Sequence, residues 1–245
     1  MLCALARADG PIGISEIARQ TGFSKSTVHL SLQSMRAAGF VEQHAGTSGY
    51  VLGLAAAQLG AVALDQSRLV DMLAPPMKDL ADRSSEAVSL GIRTGTDVVF
   101  VKRFETSHVL RTSIREGTRM PLHASASGKV LLLDLSPDEL LELYPDEHLP
   151  EQASRTLSSR ADLLAELDLT RATGFSTSHD EYMDGVSAAA VPVWLGRRVV
   201  ASVSIAGPTS RFQAGDWISD LKALVSSAGS GLAVEGSALD AEAAS

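Results

Sequence analysis

One cysteine in 245 residues, Cys3, excludes an internal disulfide and any cysteine-built zinc knuckle. Aromatic residues are scarce at 4%, while 45% apolar and 20% charged residues fit a soluble globular protein. That balance excludes long disorder, collagen-like repeats and coiled-coil rods. No apolar run approaches the roughly 18 residues of a membrane span. The best, over 55–64, is broken by Gln58 and Gly60, so no membrane partner is expected. Residues 1–7 lack the basic start of a signal peptide, and a cytoplasmic location follows as the expectation. Bulk positive charge is missing too, the net charge being −8. The deficit is uneven. Residues 1–60 carry four bases (Arg7, Arg19, Lys25, Arg36) against three acids (Asp9, Glu16, Glu42), so the remainder is strongly acidic. Such a chain can bind DNA only through a local patch.

The length is generous for one compact domain and ample for two. The first sixty residues read as three short helices and a hairpin. Residues 2–9 form an apolar helix closed by Asp9-Gly10-Pro11, and Ser15 is placed to cap a second helix that Gly22 breaks. Ser24 caps a third, with Val28, Leu32 and Met35 as its buried stripe and Gly39 just past its end. Strands over 40–44 and 50–52 flank a turn-rich stretch. One Ala/Leu-rich linker helix over 54–69 is expected to stop before Pro75-Pro76.

Beyond it, strands are expected at 88–93, 98–104, 109–114, 188–193 and 199–205. Helices are expected at 77–84, at 126–135, after the capping sequence Ser136-Pro137-Asp138-Glu139, at 158–173, and from Asp216 to about 232. This alternation predicts a mixed-sheet α/β domain. The divisions expected are a head at 1–56, a linker helix at 57–74, a body at 75–236 and a flexible tail at 237–245.

In the head, the spacing of Ala18, Gly22 and Val28 is informative. A helix-turn-helix needs a small residue where its helices cross, glycine where the turn requires positive φ, and a branched apolar residue six positions later. With the hairpin behind it, a winged helix is the best reading, against a small helical domain for protein contacts. Opposite the buried stripe lie Ser26, Leu30 and Gln33, flanked by Thr27 and His29. Ser24, Lys25 and Ser26 suit phosphates; Thr27, His29 and Gln33 suit base edges, and Leu30 a thymine methyl.

The chain resembles the isocitrate-lyase-regulator (IclR) family of bacterial transcription factors. In the head the resemblance rests on Ile14-Ser15-Glu16-Ile17-Ala18, on residues 21–29 from Thr21-Gly22-Phe23 to Val28-His29, and on Tyr50-Val51-Leu52-Gly53. In the body it rests on residues 121–132, which open Pro121-Leu122-His123-Ala124, on Arg171-Ala172-Thr173-Gly174-Phe175 with Asp180-Glu181, on residues 185–193, and on residues 203–208. The resemblance implies an α+β protein: a winged helix-turn-helix head, a linker helix and a GAF-like domain that takes a small-molecule effector. It also implies homodimers, often tetramers, on a palindromic double-stranded DNA operator. Three departures stand out. A pocket position near Ser178-His179, often acidic in the family, is not plainly acidic here. Leu30 and Ser31 occupy positions that are usually Arg and Leu, and family members usually have more chain before the first helix, so leading residues are expected to be missing here.

The sequence around Ser125, Ala126, Ser127 and Gly128 puts hydroxyls and small residues at a helix start, where free N–H groups suit an anion, an organic acid being the natural class. Matched to the family, the pocket would also draw on Ser178, Asp180, Val186, Ala188 and Ser204. Arg111 and Arg115 share a strand face and read as surface charges. His108, His123, His148 and His179 lack ligand spacing, so neither metal nor cofactor is expected.

No enzyme is expected either. Ser127-Gly128-Lys129 lacks the leading glycine and trailing Ser or Thr of a P-loop, and no Gly-x-Ser-x-Gly elbow occurs. A Ser125, His179, Asp180 set fails because neighbouring strand residues point to opposite faces. The alternative function is a small-molecule sensor or dimerisation protein whose head binds DNA weakly or not at all.

Overall fold

The structure, a computed structural model, describes residues 1–8, 10–65, 67–105 and 114–227. The chain divides into two compact units, Met1–Ser67 and Arg68–Ser245. In the first, α1 (Leu2–Arg7), α2 (Ile14–Thr21) and α3 (Lys25–Ala37) precede an antiparallel hairpin of β1 (Val41–Gln43) and β2 (Tyr50–Leu52), and α4 (Leu54–Asp65) follows. Leu5, Ile17, Val28, Leu32, Val41 and Tyr50 make its core. Burial of each such side chain is worth about 1.5–3 kcal/mol. Ser15 does not cap α2: the cap is an extended Gly13, two residues earlier, so Ser15 stands inside the first turn.

The single helix expected over 54–69 is two. After α4 ends, α5 (Arg68–Ser84) runs straight through Pro75 and Pro76. The prolines deny hydrogen bonds to the carbonyls four residues back, at Asp71 and Met72. Leu73, Met77, Leu80 and Ala81, buried along one face, keep the helix seated regardless.

The second unit continues with β3 (Ala87–Thr94), β4 (Asp97–Phe104) and β5 (Arg119–Pro121), then a 3-10 turn at Leu122–Ala124. Helices α6 (Ala126–Val130), α7 (Pro137–Leu143) and α8 (Arg160–Thr173) lead to β6 (Ser176–His179), β7 (Val186–Leu195) and β8 (Arg198–Pro208). A second 3-10 turn at Ala214–Trp217 opens a helix whose described part covers 218–227. The strands form one sheet in the order β5-β4-β3-β8-β7-β6. Every pairing is antiparallel, which corrects the mixed sheet expected from the alternation. Tight turns at Gly95-Thr96 and Gly196-Arg197 make hairpins of β3–β4 and β7–β8, and the helices gather between β5 and β6 instead of forming parallel crossovers.

Three smaller differences have local causes. Helix α6 stops at Val130 because Leu131, Leu132 and Leu133 bond three residues back, as in successive turns. Asp216 lies within the 3-10 turn and caps nothing. Ile114 lies in no strand, while 109–113, the tail at 237–245 and the helix end expected near 232 lie outside the described residues. Strands β5 and β6 were not foreseen; at three and four residues they are too short for periodicity to show.

Neighbouring strand residues serve opposite faces. Val88, Leu90, Val203 and Ile205 pack on α5, while Val98, Phe100 and Ala190 face α6 and α8. Ser89 and Ser204, paired across β3 and β8, sit between members of the first set. Strand β4 carries a bulge: Leu90 pairs with Lys102 and Gly91 with Phe100, so Val101 is an extra residue.

Candidate nucleic-acid interface and ligand cavity

Gly22 ends α2 in the left-handed region at φ 72°, its N–H bonded to the Ala18 carbonyl at 2.9 Å. That turn lets Val28 reach Ile17, both fully buried. Ser24 caps α3 by accepting the Thr27 N–H at 3.1 Å, and its hydroxyl also meets Ser26 Oγ at 2.9 Å and Thr27 Oγ1 at 2.8 Å. Ser24, Lys25, Ser26, Thr27, His29, Leu30 and Gln33 are all exposed, Leu30 by 64%. Gln33 Nε2 and His29 Nε2, one turn apart, lie 3.0 Å from each other. No acidic residue falls on α3. On α2 the Arg19 charge is answered locally: hydrogen bonds from Arg19 and Gln20 hold the Glu16 carboxyl down to about 2.

In the second unit, the sheet face under α6 holds a tight cavity of about 30 Å³. That is room for no more than a few waters. Its lining includes Ser125, Ala126, Ser127, Ser178, Val186, Ala188 and Ser204. Gly128 and Asp180 do not line it. Gly128 is pressed against the Leu122 backbone, where a Cβ would collide with the Leu122 carbonyl. Asp180 follows β6 at φ 56°, which turns its carboxylate to accept from Gly185 N–H at 2.8 Å and Thr209 Oγ1 at 3.0 Å. The helix start offers less than the sequence suggested. Ser125 Oγ already accepts the Gly128 N–H at 3.1 Å, and α6 is five residues long.

Sequence reasoning missed Ser89 and Arg103, which also line the cavity. The Arg103 side chain is only 3% exposed; its Nε donates to Glu105 Oε1 at 2.7 Å and its NH1 to Ser89 Oγ at 2.7 Å. Counting alternate residues from Val98 and Phe100 turns Arg103 away from this face, and only the bulge brings it back.

Beside the cavity, Lys129 is 1% exposed and donates to Glu166 at 3.1 Å and Glu181 at 3.0 Å. Burial pushes the Glu181 carboxyl above its usual range in spite of the ammonium, and its Oε2 has no hydrogen-bond partner among the described residues. His179 and Asp180 do approach each other, at 3.5 Å, because the left-handed turn at Asp180 overrides the strand alternation assumed from sequence. His179 Nδ1 bonds Ser187 Oγ at 2.8 Å, but neither residue lines the cavity, so the set works as a hydrogen-bond network joining β6 to β7.

A wider cleft of about 370 Å³ lies elsewhere, lined by Asp97, Pro121, His123, Tyr144, His148 and Pro150 among others. His123 Nε2 lies 2.9 Å from the Pro150 carbonyl, and burial pulls its pKa below the ordinary value. The Tyr144 hydroxyl is buried without a hydrogen-bond partner among the described residues. Arg115 is exposed, as expected of a surface charge, while His108 and Arg111 lie outside the described residues. Among the described residues, no three His, Cys, Asp or Glu side chains converge as metal ligands would.

Comparison with known proteins matches both units. Residues 1–45 fit the IclR helix-turn-helix domain, and residues 61–233 fit the bacterial transcriptional regulator IclR C-terminal domain. The HTH-type transcriptional regulator KdgR of Dickeya chrysanthemi is 35% identical over 202 residues, which cover 82% of this chain and 66% of that one, just under two thirds. A transcriptional regulator from Rhodococcus sp. RHA1 superposes with a TM-score of 0.73 at 26% identity, covering 95% of this chain and 96% of that one. An IclR homologue of Microbacterium hydrocarbonoxydans, complexed with 4-hydroxybenzoate, shares the fold at 22% identity, with a TM-score of 0.73 and coverage of 95% and 99%. The chain therefore belongs to the IclR family of bacterial transcriptional regulators, DNA-binding proteins with a ligand-binding C-terminal domain.

Proposed function

We propose that the protein is a cytoplasmic regulator whose operator binding is set by a small organic acid. The observation that carries this reading is the outer face of α3, exposed, polar apart from Leu30, and free of acids from Ser24 to Gln33. A homodimer would lay two such helices in successive major grooves of an imperfect palindrome, one helical turn (roughly 34–36 Å) or a multiple of it apart. Exposed Leu54, Leu59 and Val62 on α4 support assembly of copies through the linker region, as dimers or tetramers. Ser24, Lys25 and Ser26 would meet phosphates, with Thr27, His29, Leu30 and Gln33 over base edges. The effector would occupy the cavity between Ser125–Ser127 and Ser204, and it would change operator affinity only by the ratio of its affinities for the two head arrangements.

A second reading has its own support. Leu30 puts an alkyl group where the family pattern has a cation, and the head's basic excess is small. In that reading the head is a dimerisation module and the cavity alone senses. Selection of fragments from the source genome by the purified protein, at two salt concentrations, separates the two. Enrichment of a palindrome is the expected result. Failure of folded, dimeric protein to enrich any site would discard operator binding and leave the sensor.

A further inference from the structure

We infer that the wide cleft beside His123 and Tyr144 is a second ligand site, one that takes a neutral alcohol with an apolar body. It is separate from the cavity under α6, since the two linings share no residue. At about 370 Å³ it lies within the roughly 300–1,000 Å³ of small-molecule sites, whereas the other cavity holds about 30 Å³. Pro121, Leu143, Pro145, Leu149 and Pro150 give it apolar walls. Three of these are prolines, whose fixed φ keeps such a wall in shape before anything binds.

Two buried side chains of this lining have hydrogen-bonding capacity left over. Tyr144 is 7% exposed; burial pushes its pKa up, so the hydroxyl stays protonated, and it has no partner among the described residues. His123 is 3% exposed, with Nε2 2.9 Å from the Pro150 carbonyl. A carbonyl only accepts, so Nε2 carries the hydrogen. Burial keeps the imidazole neutral, which leaves Nδ1 with a lone pair and no donor among the described residues. The two rings meet edge to face, their centroids 6.1 Å apart. One group, a hydroxyl, answers both: it accepts from Tyr144 and donates to His123. Buried polar groups left unpaired in this way are costly, and a ligand that pairs them recovers that cost.

Charge selects a neutral ligand. No Lys or Arg lines the cleft, while Asp97 and Asp146 do, so a carboxylate would meet only like charge. A cation gains little either. Asp97 is already paired with Arg119 at 3.1 Å, and Asp146 is exposed, where water screens its charge.

The test titrates full-length protein at pH 8 with four probes of one shape: benzyl alcohol, benzyl methyl ether, benzylamine and benzoate, followed by calorimetry and ligand-observed NMR. Thr96 and Gln152 line the cleft and are exposed, so Thr96→Trp, with Gln152→Trp as its substitute, fills the cleft without touching a core. Only binding that the filling variant removes is counted, which sets aside any probe held in the other cavity. Benzyl alcohol should bind there, with the ether about threefold weaker or more because it cannot donate to His123. The amine and the acid should be weaker by about tenfold or more. Tyr144→Phe should weaken the alcohol about threefold or more while raising the Tm of the unliganded protein, a pairing that a merely structural hydroxyl would not give. Should that variant fail to fold, the alcohol-to-ether ratio on wild type decides. Alcohol and ether binding alike, alcohol binding undiminished in Tyr144→Phe, or a stronger grip on the amine or the acid overturns the proposal. So does benzyl alcohol that binds nowhere, or that binds as well after the cleft is filled.

Discussion

Replacing Lys129 by Met keeps most of the alkyl stem and removes the ammonium from between Glu166 and Glu181. Glu166 is 28% exposed and can turn to water, so the cost falls on Glu181, whose side chain is 11% exposed and already has one unpartnered oxygen. Breaking a buried pair this way typically costs about 3–5 kcal/mol. Here the carboxyl has an escape, because it can protonate. From an ordinary value of 4.5, protonation at pH 7 costs roughly 3.4 kcal/mol, at about 1.36 kcal/mol per pH unit. That sets a ceiling of roughly 3.4 kcal/mol at pH 7 and about 1.4 kcal/mol at pH 5.5. The sign follows from Glu181 being pushed up in the folded state. Its ionised form opposes folding above the folded-state pKa, and the penalty is relieved as pH falls through that value. Urea unfolding of both proteins at equal concentration, at pH 7 and pH 5.5, should therefore show a large loss that shrinks with acid. Adding Glu181→Gln should recover most of it at pH 7. A loss below about 1 kcal/mol at pH 7 with unchanged denaturant slope, or one equal at both pH values, would refute the reasoning.

Leu30→Arg should tighten operator binding and steepen the plot of log affinity against log salt by about 1.8 for a dimer, one phosphate per head; an unchanged slope would show that position 30 stays away from the backbone. Tyr144→Phe removes a buried hydroxyl that has no partner among the described residues, and should stabilise by about 1 kcal/mol, read as a Tm gain of roughly 2–4 °C. A loss of stability would mean that the hydroxyl is bonded after all. Gly128→Ala forces the Leu122 backbone to move and should cost about 1–3 kcal/mol, whereas an unaltered melting curve would mean that α6 shifts freely.

Much of the head was legible because its signals are local. Gly22 requires a left-handed turn, Ser24 sits three residues before the N–H it accepts, and Val28 and Leu32 recur at helical spacing. The capping box at Ser136 and Glu139 was readable for the same reason. The linker was misread because Pro75 and Pro76 are breakers only by their own chemistry; tertiary burial of Leu73 and Met77 outweighs them, and that is not written nearby in the chain. Much of the cavity wall came from family resemblance, through Ala126, Ser127, Ser178, Val186, Ala188 and Ser204. Its cation did not. Arg103 depends on a one-residue irregularity in β4, and a bulge leaves no periodic trace. Asp180 was misplaced by the opposite error, since a regular strand was assumed where the backbone turns left-handed.

The sheet that floors the cavity is one residue thick. Ser89 stands between Val88 and Leu90, and Ser204 between Val203 and Ile205, so each cavity residue has sequence neighbours gripping α5 from the other side. Movement of Ser89 or Ser204 toward the cavity cannot stay local, because adjacent strand residues share a stiff backbone. The partition between solute and helix is thus also the mechanical coupling, and α5 is the first element of the body that the chain enters after Ser67. Displacement on one side of a single peptide layer is displacement on the other.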